Sequence, residues 1–291
     1  KVMIYEGDVY RPPSEARSLI IQITIGCANN SCTFCNMYKA KKFRIRTREE
    51  IFNDLEEMSS MYGSYPLRIF LADGDALVVP TELLLDILQF IHVRFPKCER
   101  VTAYATAKDI IRKGKEDLLR LKKAGLSMVY VGAESGDENI LKAVKKNVSC
   151  EEMVKASQML KEAEILLSVT FISGLGGKER MKEHALHSAT LASKMKADYL
   201  SFLTLMLEES APMLQDIREG KMHLLSPLDV VEEMKLFLKN VDSDGTVFRM
   251  NHASNYISLR GVLNQDIPNM LKKLAEAEEF ERFKEERCRM L

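Results

Sequence analysis

The feature that most limits the fold is an alternation of short, almost wholly apolar runs with longer amphipathic ones. Six runs read as strands, at residues 19–25, 67–72, 100–105, 127–132, 165–172 and 199–205. Near-continuous hydrophobicity over so few residues marks strands buried on both faces, as in a parallel sheet. Between them, residues 47–62, 81–95, 115–124, 137–145, 151–162 and 179–196 carry helical periodicity. Thr47 followed by Glu50 is a capping box, and Gly125 is placed to cap the helix that ends at Ala124. Parallel strands joined by right-handed helical crossovers make an α/β fold. A full eight-unit barrel takes about 250 residues, and here the sixth unit ends near residue 205. The expectation is a partial (β/α)6 TIM-like barrel over residues 1–210, followed by a C-terminal α/β extension over 211–291 that closes the barrel mouth. That extension is expected to hold a helix at 227–240, a short strand at 246–250 and a charged helix from about residue 268.

Charge excludes some partners. The 291 residues contain 42 Lys plus Arg and 42 Asp plus Glu, so net charge gives no bulk attraction to nucleic acid or an anionic membrane. No apolar run reaches the roughly 18–20 residues that span a bilayer. No membrane partner is expected, nucleic acid is not the expected partner, and a cytoplasmic location follows by default. Of six cysteines, three lie within nine positions, while Cys98, Cys150 and Cys288 are scattered. That distribution points to metal or catalysis, not to a secreted disulfide framework.

Cys27, Cys32 and Cys35 give C-x4-C-x2-C directly after the first strand. A structural zinc site needs four closed ligands, and the next candidates, His92 and Cys98, are far along the chain. A plant-type ferredoxin shares the spacing but adds a fourth Cys within a small domain. The third of these competing readings, and the favoured one, is a [4Fe–4S] cluster held by three thiolates, which leaves one iron open.

With aromatic Phe34 before the third Cys, this loop resembles the cluster loop of the radical SAM superfamily, whose commonest spacing, C-x3-C-x2-C, is one residue shorter. Four later stretches resemble that family in order, over roughly residues 15–210. After the second strand come Asp73, Gly74 and Asp75, where the family holds the amino group of S-adenosylmethionine (SAM); an ordinary Asp-Gly turn reads the same way. After the fourth come Glu134, Ser135 and Gly136, similar to the Gly-x-Glu-Ser-Gly of HemN/Elp3-like branches, which implies Glu134 and Ser135 near the ribose or methionine. Ser135 is equally placed to cap the next helix, and a carboxylate ending a buried strand must find a partner. After the fifth, Gly174, Gly176 and Gly177 resemble the family's glycine-rich segment, with Thr170 in place of its first glycine and Arg180 able to meet the SAM carboxylate. The sixth strand offers the backbone of Leu203 and Leu205 to adenine. The resemblance implies an oxygen-sensitive [4Fe–4S] cluster and SAM as cofactors, reductive cleavage of SAM, and a one-electron donor such as flavodoxin or ferredoxin.

The substrate is expected to be a small molecule. Tyr104 and Thr106 are placed to face the barrel mouth, and His252, Asn255 and Tyr256 lie in a polar stretch that reads either as substrate contacts or as a turn. Lys41, Lys42, Arg44, Arg46 and Arg48 form a basic run, either for an anionic substrate or as a solvated approach. No second cysteine set suggests an auxiliary cluster. A tRNA- or protein-modifying radical enzyme would want an added domain, and a cluster-carrying electron-transfer or cofactor-carrier protein would keep the cysteines without turning over SAM.

Overall fold

In the computed structural model, which describes residues 5–290, each of the six apolar runs contributes a strand and each amphipathic run a helix. In chain order the elements are β1 (Leu19–Gln22), β2 (Thr24–Ile25), β3 (Arg44–Ile45), α1 (Arg48–Tyr62), β4 (Arg68–Ala72), α2 (Thr81–Arg94), β5 (Arg100–Tyr104), α3 (Ala107–Ala124), β6 (Leu126–Glu134), α4 (Glu138–Ala143), α5 (Cys150–Glu162), β7 (Leu166–Ser173), α6 (Met181–Met195), β8 (Tyr199–Thr204), α7 (Met213–Arg218), α8 (Pro227–Asn240), β9 (Val247–Met250), β10 (Leu259–Val262) and α9 (Ile267–Glu279). Eight strands form one mostly parallel sheet in the order β1-β4-β5-β6-β7-β8-β9-β10, so β1 and β10 are edges and the barrel is partial. Six strands were expected there. The other two come from the chain after residue 210: β9 runs parallel to β8, and β10 antiparallel to β9. β10 reads Leu-Arg-Gly-Val, too short and too polar to show a period.

The chain divides into two compact units. One comprises residues 5–30, 37–131 and 158–167, the other 31–36, 132–157 and 168–290. In the first, Thr47 and Glu50 close the expected box on α1, with Glu50 N donating to Thr47 Oγ1 at 3.2 Å and Thr47 N to Glu50 Oε2 at 2.7 Å. Helix α3 begins earlier than the expected residue 115, because Thr106 caps it and its chain path bends at Gly114, whose φ of 71° is not helical. Ile20, Phe70, Ala72, Met128 and Tyr130 form a cluster on one sheet face, with Phe70 and Tyr104 edge-to-face at 5.1 Å.

In the second unit the core is aromatic. Phe171 of β7, Phe202 of β8 and Phe248 of β9 alternate onto one face and meet Phe237 of α8, with the Phe202 and Phe237 centroids 4.8 Å apart. Phe237 is 0% exposed. Among the described residues, no helix is long and apolar enough to cross a membrane. Phe237→Ala is expected to cost about 4 kcal/mol in urea unfolding, since it removes a ring from a site that cannot collapse around it. Leu119→Ala, at a position 45% exposed, is expected to cost under about 0.5 kcal/mol.

Candidate functional site

The first half of the cysteine loop belongs to the first unit. After β1 and β2 the chain turns at Gly26, in the left-handed region at φ 76°, and reaches Cys27. The turn is fixed by Asp73 at the end of β4. Asp73 is fully buried, and its Oδ2 accepts from Gly26 N at 3.0 Å, Gln22 Nε2 at 3.0 Å and Lys41 Nζ at 2.8 Å. Its own N–H donates to Thr24 Oγ1 at 3.0 Å. Its Oδ1 is buried and has no hydrogen-bond partner among the described residues. Gly74 N donates to Gly26 O at 3.1 Å, and a Cβ at Gly74 would fall 2.6 Å from the Tyr38 ring and 3.0 Å from Cys27 Cβ. Only glycine lets the two backbones meet there. Asp75, 1% exposed, follows.

The other half of the loop, residues 31–36, belongs to the second unit and is held by α4 and α7. Thr33 N donates to Val144 O, and Met213 N to Thr33 O, both at 3.0 Å. Ser31 Oγ donates to Lys145 O at 3.2 Å, and the Cys32 thiol faces the same carbonyl at 3.8 Å. Phe34 packs against Ile140, Val144, Ile172, Leu175, Leu205 and Met213, so its ring anchors the loop in apolar contacts. None of the three loop cysteines is in a disulfide; Cys32 is buried and the other two are half-buried. Among the described residues no three His, Cys, Asp or Glu side chains are gathered for a metal ion. The loop's fit to iron therefore rests on its donor set, three thiols within nine residues. The fit to an amino acid ammonium rests on the buried, unsatisfied Asp73 Oδ1, since a buried carboxylate oxygen calls for a donor.

Also in the second unit, Glu134 sits at φ 67°, a conformation that costs a non-glycine residue of order 1 kcal/mol or more. Its side chain folds back over Gly132, where a Cβ would lie 2.0 Å from Glu134 Oε1, and accepts from Lys146 Nζ at 2.9 Å. The partner a buried carboxylate needs is thus Lys146. Ser135 does not cap α4; Asp137 does, accepting from Asn139 N and Ile140 N. Ser135 instead meets buried His184, whose Nε2 lies 2.9 Å from Ile172 O. A carbonyl only accepts, so Nε2 carries the hydrogen and Nδ1 accepts from Ser135 Oγ. Burial lowers the His184 pKa to about 4, so the ring stays neutral. Arg180 pairs with Asp137 at 3.0 Å, as does His187 at 2.8 Å. Burial pushes the Asp137 carboxyl upward, but the Ile140 N–H, Arg180 and His187 outweigh it and leave its pKa lowered.

At the end of β7, Gly174 N and Ser173 Oγ both donate to Glu233 Oε1, at 3.0 and 2.7 Å. Glu233, on α8, is 1% exposed, and its Oε2 has no partner among the described residues. Burial raises its pKa to about 7. The sequence reading missed this residue, as it missed the Lys41 and Lys146 partners. The available signal was a Glu on the apolar stripe of Val230, Met234 and Phe237.

The remaining expected residues are partly committed elsewhere. Leu205 N donates to Ser173 O at 2.9 Å, and its carbonyl accepts from Arg289 Nη2 at 3.1 Å. Leu203 lies half-buried on β8 beside Ile172. Thr106 caps α3. Buried Asn255 staples β8, donating to Phe202 O and accepting from Thr204 Oγ1, both at 2.9 Å. His252 Nδ1 lies 2.9 Å from Ser254 Oγ. Tyr256 donates to Glu286 at 2.7 Å, and the Arg289 guanidinium sits 4.0 Å over its ring. Tyr104 stays half-buried against Phe70 and Tyr130.

A family model described as Radical SAM superfamily matches residues 21–188, more than half of the chain. The anaerobic magnesium-protoporphyrin IX monomethyl ester cyclase of Cereibacter sphaeroides is 22% identical over 185 residues, covering 62% of this chain and 29% of its own. The radical S-adenosylmethionine methyltransferase TsrM of Kitasatospora setae, solved with cobalamin and a [4Fe–4S] cluster bound, aligns with TM-score 0.58 at 21% identity, over 70% of this chain and 39% of that one. Coproporphyrinogen III oxidase (HemN) of Escherichia coli aligns with TM-score 0.57 at 15% identity, over 77% and 54%. At such identities the structures share the fold. The chain spans 29% to 38% of the length of the curated relatives it matches.

Glu233 yields a pH prediction. A carboxyl whose folded pKa is raised contributes stability that is full below its unfolded value and is lost as pH rises through the folded one. Wild-type stability is therefore expected to fall between about pH 4.5 and about pH 7 by on the order of 3 kcal/mol. Glu233→Gln, which mimics the protonated acid, is expected to flatten that slope in denaturant unfolding measured across the window.

Proposed function

The chain belongs to the radical SAM superfamily, and on that premise we propose that it cleaves SAM reductively to begin radical chemistry on a small-molecule substrate. The family's cofactors are a [4Fe–4S] cluster and SAM. The observation that carries the reading is the set of three cysteines, Cys27, Cys32 and Cys35, none of them in a disulfide, in the loop at the strand end where (β/α) enzymes place their chemistry.

Cys27, Cys32 and Cys35 would hold three irons as thiolates and leave the fourth for SAM. When bound, the cluster would supply the one-electron chemistry for reductive cleavage of SAM, which starts the radical reaction on the substrate. Asp73 Oδ1, with Gly74 and Asp75 beside it, accepts the SAM amino group, while Asp73 Oδ2 keeps the cysteine loop in place. Glu134 and Ser135 face the ribose or methionine. Lys146 keeps Glu134 aimed; His184 fixes the Ser135 hydroxyl. Gly174 and Leu203 border the adenine, and Arg180, at the head of α6, faces the SAM carboxylate. We assign cofactor chemistry to residues 1–210 and substrate recognition to 211–291, with Tyr104, Thr106, His252, Asn255 and Tyr256 as the contacts to test. The electron comes from a flavodoxin or ferredoxin, in the cytoplasm and under anaerobic conditions.

The test is anaerobic reconstitution with iron and sulfide, reduction with dithionite, and chromatography for 5′-deoxyadenosine with and without SAM. The wild type is expected to form 5′-deoxyadenosine only with SAM, and Cys32→Ala to lose it by at least about a hundredfold. Glu134→Ala is expected to weaken SAM binding about tenfold, as loss of one charged contact does. A cluster that forms but ignores SAM would instead identify an electron carrier.

A further inference from the structure

The second unit's sheet has two unlike faces. Phe171, Phe202 and Phe248 turn to α8. On the opposite face the register aligns Thr170 with Ser201, Ser201 with Arg249, and Arg249 with Arg260. Paired residues of neighbouring strands share a face, so these four side chains form one row across β7, β8, β9 and β10. Thr170 Oγ1 and Ser201 Oγ are 3.0 Å apart. One hydrogen bond between two hydroxyls consumes one hydrogen and leaves the other to donate.

Both arginines are exposed. Arg249 Nη1 turns back to Phe248 O at 2.8 Å. Among the described residues neither guanidinium has a carboxylate at ion-pair distance. Arg46, Arg94, Arg100 and Arg180 each pair with Asp or Glu; Arg68 and Arg218 have no such pair among the described residues either, and what distinguishes Arg249 and Arg260 is that the two unpaired guanidiniums stand directly opposite each other. Like charges directly opposite on paired strands destabilise the pair. Two guanidiniums in that relation with no anion between them are costly unless something anionic joins them. Guanidinium forks suit the paired oxygens of carboxylates and phosphates. Two residues further along β8 on the same face, Leu203 adds half-buried apolar surface.

We propose that this row, Thr170, Ser201, Arg249 and Arg260, binds an organic oxyanion, a carboxylate or phosphate carried by the small-molecule substrate. The anion site stands on the row itself; its service to a substrate rests on the radical SAM reading above. The substrate is thus an organic acid or phosphate ester with an apolar portion that lies toward Leu203.

The experiment is calorimetric titration of the reconstituted full chain with inorganic phosphate and, separately, succinate, at ionic strength held constant with chloride. At least one probe is expected to bind saturably. Arg249→Gln and Arg260→Gln are each expected to weaken that binding about tenfold or more while melting no lower than the wild type without the probe, since each relieves the like-charge pair. Lys182→Gln, which removes a charge from exposed surface elsewhere, is expected to leave it unchanged. Preference for phosphate marks a phosphate ester, and preference for succinate a carboxylic acid. No saturable binding of either probe, or equal binding by both Arg variants and wild type, overturns the inference. 5′-Deoxyadenosine formation measured on the same samples reads the radical SAM assignment separately: its absence from the wild type, with anion binding intact, fails that assignment and leaves the anion site standing.

Discussion

One oxygen atom organises the front of the first unit. Fully buried Asp73 takes hydrogen bonds at Oδ2 from the Gly26 amide, the Gln22 side chain and the Lys41 ammonium. A carboxylate removed from water requires such compensation, and loss of one member of a buried pair typically costs about 3–5 kcal/mol. The consequence is positional. The three donors come from the end of β1, the turn into Cys27 and the segment beyond the cysteines, so one acid ties the cysteine loop to the sheet. Gly74 can then lie against Cys27 and Tyr38, which any side chain would prevent. Saturating one oxygen also leaves the other, Oδ1, buried and available.

The second unit uses the same device with different partners. Glu134 is turned into the left-handed region and bound to Lys146. Ser135 is fixed by a neutral histidine. Glu233 collects the Ser173 hydroxyl and the Gly174 amide from beneath the glycine-rich turn. In each case a polar residue at a strand end is aimed by a neighbour from another part of the chain. Such buried networks are costly when half satisfied and rigid when satisfied. That rigidity is what a site needs if it is to hold a reactive cofactor in one geometry. The sheet face lined by Phe171, Phe202 and Phe248 supplies the firm backing, while the face carrying Arg249 and Arg260 stays open.

Periodicity made most of the fold legible, because strands buried on both faces leave uninterrupted apolar runs and α1 announces itself with Thr47 and Glu50. What escaped was short or interrupted. β10 has four residues, one of them Gly261, and α3 is divided at Gly114, so only its second half showed a helical period. The cysteine loop and the glycine-rich turn were visible as spacing. Their supporting residues were not, because support depends on tertiary neighbours: Lys41 read as one member of a basic run, and Lys146 and Glu233 belong to no motif. Ser135 looked like a cap because it precedes a helix, yet Asp137, two residues later, accepts the two free amides. Arg249 and Arg260 belong to no motif, and only strand register places them side by side.

Amide hydrogen exchange at Gly26, compared between the wild type and Asp73→Ala, tests the role of Asp73 most directly. With Asp73 as the anchor, the Gly26 amide is protected in the wild type and exchanges at least about tenfold faster in the variant, while amides of the Phe171–Phe202 strands keep their protection. Equal protection of Gly26 in both proteins would contradict the account, because the turn that presents Cys27 would then be held by something other than this carboxylate.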